Sequence, residues 1–448
     1  MLVRKVEKEI RDYLLSDRQE ILLISGARQI GKSYIVRYIG QQLFQNYIEI
    51  DMKADAQGAR LFADATTTEM FYMRLSTIAG GRMQGRRDTL VFIDEIQAYP
   101  HLLTLLKFLR QDNRFQYIAS GSLLGVTLSK AVSIPVGSLE ELRMYPLDFE
   151  EFLWALGYGE YVLQDLRQRF ERRESLDQTL HDKLMADFRR YLLVGGLPEA
   201  VNRYVAEKNI VSIRRVQNAI HDLYAADASK YDEDNRLKIR RIYDMVPSNL
   251  ENKKKRVVVK DIEGKRGKRF SDYEDEFEYL IQSGTTLEVK AISAPRFPLC
   301  ESSTKNLLKL YLNDVGLLSA ILYGLNIDAI LKDVPSINLG TLYESFVAQE
   351  LRAHGFNLHY YDNKQHGEVD FLVDDYKTLS VLPVEVKSGK DYTVHSALNH
   401  FVSCADYKIQ QGLVVSNERE IRWQGKICHV PIYYVMFLEP EPVASVTF

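Results

Sequence analysis

Cysteine is scarce in this chain of 448 residues: only Cys300, Cys404 and Cys428 occur. They lie too far apart in sequence for a disulfide framework or a zinc-ligand spacing, and such usage suits a reducing cytoplasm. Long apolar runs are missing too. None reaches the ~20 residues that a bilayer-spanning helix needs, so no membrane association is expected. The N-terminal MLVRKVEKEIRDYLL reads as a charged amphipathic helix rather than a signal peptide. There is no excess of one charge. A net charge of -3 gives no global attraction to nucleic acid or to an anionic membrane, so any such partner must be met by a local patch. Internal repeats and low-complexity tracts are also absent.

What is present is a phosphate-binding pattern. In ILLISGARQIGKS, Gly26, Gly31, Lys32 and Ser33 fit G-x-x-x-x-G-K-[ST] directly behind a short apolar strand. The glycines let backbone N–H groups of the loop Gly26, Ala27, Arg28, Gln29, Ile30 and Gly31 turn toward an anion. A helix starting near Lys32 adds its positive end. Lys32 then reaches the β- and γ-phosphates, and the Ser33 hydroxyl is a ligand for Mg²⁺. Further on, TLVFIDEIQ reads as a buried strand ending in two acids. Asp94 can hold the Mg²⁺ shell, and Glu95 can orient and deprotonate an attacking water. FQYIASGS is one more strand, whose Ser120 and Ser122 either sense a γ-phosphate or simply end the strand. Between these strands, HLLTLLKFLRQD is a helix with a core-packing stripe.

GARQIGKS, FIDEIQ and IASGS, followed by YPLDFEEFL (145–153) and GGLPEA (195–200), resemble a large family of predicted AAA+-type ATPases of bacteria and archaea. Members of that family end in a domain resembling the PD-(D/E)xK nucleases. The resemblance implies ATP with Mg²⁺ as the cofactors and a small helical lid after the ATPase core. It also implies a Gly-Arg pair just before the YPL segment, where this chain instead reads Pro135, Val136, Gly137, Ser138. Arg143 is the nearest substitute for an arginine that would stabilise transferred phosphate charge, an effect worth about 10³-fold or more in rate.

The length is too great for one core. The expected architecture is multidomain α/β: a P-loop NTPase core with a parallel sheet over 1–147, a helical lid over 148–232, a winged-helix-like domain over 233–330, and a restriction-endonuclease-like α/β domain over 336–448. The winged-helix reading rests on helices followed by a β-pair around LEVKAI and KLYLND. The same segment holds a dense basic run: Lys253, Lys254, Lys255, Arg256, Lys260, Lys265, Arg266, Lys268 and Arg269. It either contacts the phosphates of DNA or RNA, or is a solvated loop balanced by the acidic helix SDYEDEFEYLIQSG behind it.

In the last segment, Asp370 lies on one strand and Glu385 and Lys387 lie two apart on the next, sharing a face. This layout resembles the PD-(D/E)xK site, in which two carboxylates bind Mg²⁺ and a lysine aligns the attacking water. Glu344 matches the acid that many such nucleases contribute from the preceding helix. Glu288 and Lys290 have the same spacing but no partner strand carrying an Asp. His395 and His400 are read as packing or surface residues. Two functions remain open: an ATPase coupled to a nuclease acting on nucleic acid, or an ATP-dependent switch whose last domain only holds a partner. Oligomer formation is left open by the sequence.

Overall fold

The computed structural model describes residues 2–122, 137–228, 236–264, 267–334, 337–389 and 395–440. Pro135, Val136, Lys265, Arg266, the last residues of the expected lid and part of the linker at 332–337 lie outside them. The chain divides into two compact units, one formed by 3–145 with 278–285 and the other by 146–277 with 286–448.

The first unit is built on strands β1 (Ile21–Ser25), β2 (Asn46–Asp51), β3 (Thr89–Asp94), β4 (Gln116–Ser120) and β5 (Leu139–Arg143). They form one sheet in the order β2-β3-β4-β1-β5, and every pairing is parallel. Parallel sheets are covered on both faces, which explains why ILLIS, TLVFID and QYIAS are buried at every position. The helices are α1 (Lys5–Leu15), α2 (Lys32–Leu43), α3 (Met52–Gln57), α4 (Thr68–Ala79) and α5 (Pro100–Asp112). α5 begins with a proline in its first turn and buries Leu102, Leu103, Leu105, Leu106 and Leu109, as its stripe demands. The strand order puts the end of β4, Ser120, between the phosphate-loop strand β1 and the Asp94 strand β3.

The second unit begins with helices α6 (Phe149–Ala155), α7 (Glu160–Arg172), α8 (Gln178–Val194), α9 (Pro198–Glu207) and α10 (Ile210–Ala228). Asp148 starts α6 with a capping box to Glu151. Next come α11 (Arg236–Glu251) and α12 (Val259–Glu263), and then α13 (Glu274–Gln282), whose last residues already belong to the first unit. Strands β6 (Thr286–Ile292) and β7 (Thr304–Leu312) are followed by α14 (Val315–Tyr323), α15 (Asp328–Leu331) and α16 (Gly340–Ala353). β8 (His359–Asn363), β9 (Gly367–Asp375), β10 (Ser380–Val386), α17 (Ser396–Ser403), β11 (Gly412–Ser416), β12 (Arg422–Gln424) and β13 (Ile427–Pro431) complete it.

These strands make a single eight-stranded sheet in the order β12-β13-β11-β10-β9-β8-β6-β7. Here the structure differs from the sequence reading of a winged helix over 233–330. The β6–β7 hairpin exists, but β6 also pairs in parallel with β8 through Lys290, Ala291 and Ile292. The expected wing is therefore the edge of the sheet that carries Asp370 and Glu385. α16 is held by aromatic packing: Phe346 lies 4.8 Å from Phe188 and 6.0 Å from Phe149, both edge-on. Truncating such a buried ring costs about 3–5 kcal/mol, so the helix that presents Glu344 is firmly anchored. Among the described residues, no helix is long and apolar enough to cross a membrane.

Candidate functional site

The phosphate loop joins β1 to α2. Gly26 has φ 130° and Gly31 φ 94°, with Gln29 also left-handed at φ 63°. A Cβ on Gly26 would stand 2.4 Å from the Met144 carbonyl oxygen, so only glycine fits there. Lys32 is buried, and its Nζ donates to the carbonyls of Gly26 at 2.9 Å and Ala27 at 2.7 Å. It thus ties the start of the loop to the first turn of α2. Burial lowers its pKa to about 8, against the raising pull of Glu95 and Asp94.

Ser33 Oγ donates to Asp94 Oδ2 at 2.6 Å. The other oxygen of Asp94 accepts from Ser120 Oγ and from the Glu95 N–H. One carboxylate at the end of β3 therefore gathers the hydroxyls of the phosphate-loop helix and of β4, as the strand order dictates. Of the two serines read from the sequence, Ser120 reaches Asp94 and Ser122 reaches Glu95 Oε2 at 3.4 Å. Arg28 Nε donates to Ser122 Oγ at 3.2 Å, which brings a loop side chain into the same cluster. Glu95 itself is left-handed, at φ 52°. For a non-glycine residue that conformation costs about 1–3 kcal/mol and clusters at functional positions. Its carboxylate also accepts from Gln97 Nε2. Arg143 does not stand as a free substitute for the missing arginine: its guanidinium donates to the Ile281 carbonyl at 2.6 Å.

The second cluster lies wholly in the second unit. The antiparallel register that pairs Phe371 with Val384 brings Asp370 beside Glu385, and Asp370 Oδ2 accepts the Val386 N–H at 2.8 Å. Lys387 Nζ donates to Glu385 Oε1 at 2.9 Å, whereas Glu385 Oε2 is buried without a hydrogen-bond partner. Burial, and then the charges of Glu344 and Glu385, hold Asp370 well above the usual carboxylate range. Burial also raises Glu385, with Lys387 opposing it and Glu344 adding to it. For Lys387, burial pulls the pKa down but the Glu385 carboxylate outweighs it and raises it. The four residues expected from the sequence are thus brought together.

Sequence reading missed three neighbours. Lys255 of the basic run pairs with Glu344 Oε1, Tyr311 Oη donates to Glu344 Oε2 at 3.3 Å, and the fully buried Lys309 pairs with Glu368 at 2.5 Å. The available signal was a lysine inside the apolar strand NLLKLYL, since a buried ammonium requires an acid nearby. The alternative pair Glu288 and Lys290 closes on itself at 3.2 Å on β6. His400 packs 5.5 Å from His366, and His395 packs 5.3 Å from His429. Among the described residues no group of three or more His, Cys, Asp or Glu is arranged to hold a metal ion. Both oxygens of Glu344 are engaged, by Lys255 and by Tyr311.

Comparison with known proteins bears on these sites. Residues 18–153 match the family model of an AAA domain. Two further models, both of domains of unknown function, match 185–329 (DUF8612) and 339–435 (DUF4143). Comparison with curated proteins gives no match. Among solved structures, the chain is similar to a Walker-type ATPase of Pyrococcus abyssi, at 14% identity and a TM-score of 0.45 over 72% of this chain and 96% of that one. It is also similar to the ADP complex of S. cerevisiae Hsp104, at 14% identity and a TM-score of 0.29 over 63% of this chain and 38% of that one. A third likeness is to the Thermotoga maritima RuvB Holliday junction branch migration motor, at 14% identity and a TM-score of 0.28 over 64% and 89%. The phosphate loop, the acids at the end of β3 and the family match make residues 18–153 an AAA-type P-loop ATPase domain.

Proposed function

We propose that the chain is a Mg²⁺-dependent ATPase coupled to a nuclease-like unit that acts on or binds nucleic acid. The observation that carries the first half is the junction at Asp94, where Ser33 and Ser120 meet one carboxylate beside a strained Glu95. Ser33 and Asp94 would hold Mg²⁺, which supplies positive charge to the phosphates of ATP. Lys32 exchanges its two loop carbonyls for phosphate oxygens. The loop N–H groups and the start of α2 bind the same anion. Glu95, steered by Gln97 and Ser122, orients water and takes its proton.

For the second half, support comes from Asp370, Glu385 and Lys387 converging in the order that the PD-(D/E)xK resemblance implies. The orphaned Glu385 Oε2 fits a divalent cation held with Asp370, since a buried oxygen without a donor is otherwise costly. Lys387 beside Glu385 would position the attacking water. A second reading, an ATP-dependent switch with no phosphodiester chemistry, is favoured by the commitment of Glu344 to Lys255 and of Arg143 to Ile281.

The ATPase assignment is tested with two variants. Lys32→Ala is expected to weaken ATP binding by about 10-fold or more, the worth of a lost charge-assisted bond. Glu95→Gln should bind ATP normally and lose about 10²-fold or more in turnover, the usual weight of a general base. Turnover by Glu95→Gln at the wild-type rate, measured as phosphate release, would remove Glu95 from its role.

A further inference from the structure

Glu344 stands on α16 next to Asp370 and Glu385, yet both of its oxygens are engaged, Oε1 by Lys255 and Oε2 by Tyr311. Lys255 belongs to the turn after α11, not to the sheet. Its neighbours Lys253 and Lys254 are exposed, while its own side chain turns inward to 18% exposure. The turn is anchored on both sides: Lys255 N–H donates to the Asn252 carbonyl at 3.0 Å, and Val257 N–H donates to the Leu308 carbonyl of β7 at 2.9 Å. Arg256 reaches Asp362 at 3.6 Å. The inward turn of Lys255 is therefore built into the fold of the second unit.

Resting on the nuclease-like reading of this unit, we infer that Lys255 is an internal cation that holds Glu344 back from the Asp370–Glu385 pair and is displaced when a divalent cation binds there. The charge balance supports it. Four carboxylates, Glu344, Asp370, Glu385 and Glu368, face Lys255, Lys309 and Lys387, but Lys309 is fully buried and paired with Glu368, and Lys387 is bound to Glu385 at the end of β10. A cation of charge +2 entering beside the unpartnered Glu385 Oε2 makes one ammonium redundant, and Lys255 is the one that occupies an oxygen of Glu344 from a turn outside the sheet, whereas Lys387, though more exposed (25% against 18%), remains the partner of Glu385. Withdrawal of Lys255 gives Glu344 Oε1 to the site as a third carboxylate. Lys255 and the metal thus compete for one oxygen, and removing Lys255 must raise metal affinity by their coupling, about tenfold within the usual range of 5–150-fold.

The test is Mn²⁺ binding to the full chain without nucleotide, by calorimetry and by the loss of the free-ion paramagnetic resonance signal. It compares wild type with Lys255→Ala and Lys255→Met, the latter keeping the apolar stem in place, each with and without Asp370→Asn. The Asp370-dependent affinity is expected to rise about tenfold in both Lys255 variants and to show no such rise when Glu344→Gln is also present. Unchanged Asp370-dependent affinity in both variants overturns the role of Lys255 while leaving the metal site standing. So does an equal rise in the Glu344→Gln background. Absence of Asp370-dependent Mn²⁺ binding in every variant overturns the metal site itself, and the latch with it.

Discussion

Asp314 shows what a single buried carboxylate does to this chain. It caps α14 by accepting the Leu317 N–H at 3.0 Å and ties that helix to the GGLP turn by accepting the Gly196 N–H at 2.6 Å. Burial raises its pKa from 3.8 to about 6, with the backbone donors of Gly196, Leu317, Gly316 and Leu197 pulling the other way. The folded carboxyl keeps its proton to higher pH than the unfolded one. Its contribution to stability is therefore complete below about pH 4 and is lost as pH rises through 6. The loss amounts to about 3 kcal/mol. Urea unfolding of wild type and Asp314→Ala across pH 4 to 7 should show the advantage of the wild type shrinking by that order; a difference independent of pH would remove the assignment. The sequence marked GGLPEA as part of a resemblance, but its partner lies more than a hundred residues downstream, where no local pattern could announce it. By contrast Lys32, Ser33 and Asp94 were legible because a phosphate loop imposes its residues at fixed local spacing.

At the scale of elements, the segment 278–285 explains a part of the first unit that periodicity could not. The acidic helix was legible as α13, but not what its last residues pack against. Its last residues pack in the first unit, where Arg143 grips the Ile281 carbonyl and Gly284 lies against the phosphate loop. Gly284 has φ 74°, and a Cβ there would come within 2.9 Å of the Ala27 backbone nitrogen. Neither the left-handed backbone nor the close approach tolerates a larger residue. Gly284→Val is expected to push the loop out of its anion-binding shape and weaken ATP binding about tenfold or more, because the loop N–H groups must point at one oxygen cluster. A titration with a fluorescent ATP analogue checks this, and unaltered affinity would mean that the segment does not shape the loop. The hairpin's assignment to a separate winged-helix domain failed for the same physical reason. A helix-then-hairpin order is local, whereas the parallel pairing of Lys290, Ala291 and Ile292 with His359, Tyr360 and Tyr361 joins strands some seventy residues apart, and nothing in LEVKAI encodes its neighbour.

On the scale of the whole chain, the two acidic clusters lie in different compact units: Lys32, Ser33, Asp94 and Glu95 in one, and Glu344, Asp370, Glu385 and Lys387 in the other. Residues with no shared partners contribute nearly additively, so a lesion in one site should leave the intrinsic chemistry of the other intact. Asp370→Ala removes one of the two carboxylates that would hold the cation, without touching the phosphate loop. With labelled DNA and RNA in the presence of Mg²⁺ and ATP, the wild type is expected to cleave at least one of the two. Asp370→Ala should cleave about 10²-fold more slowly or not at all, since the metal supplies several kcal/mol of transition-state stabilisation. The same Asp370→Ala preparation should release phosphate from ATP within about twofold of the wild-type rate, which also shows that it is folded. Equal cleavage by both proteins, or none by either, with ATP turnover preserved, would leave the ATP-dependent switch as the function of the chain. Loss of ATP turnover in Asp370→Ala would instead break the division of labour between the two units, because a carboxylate of the eight-stranded sheet would then be needed for chemistry at the end of β3.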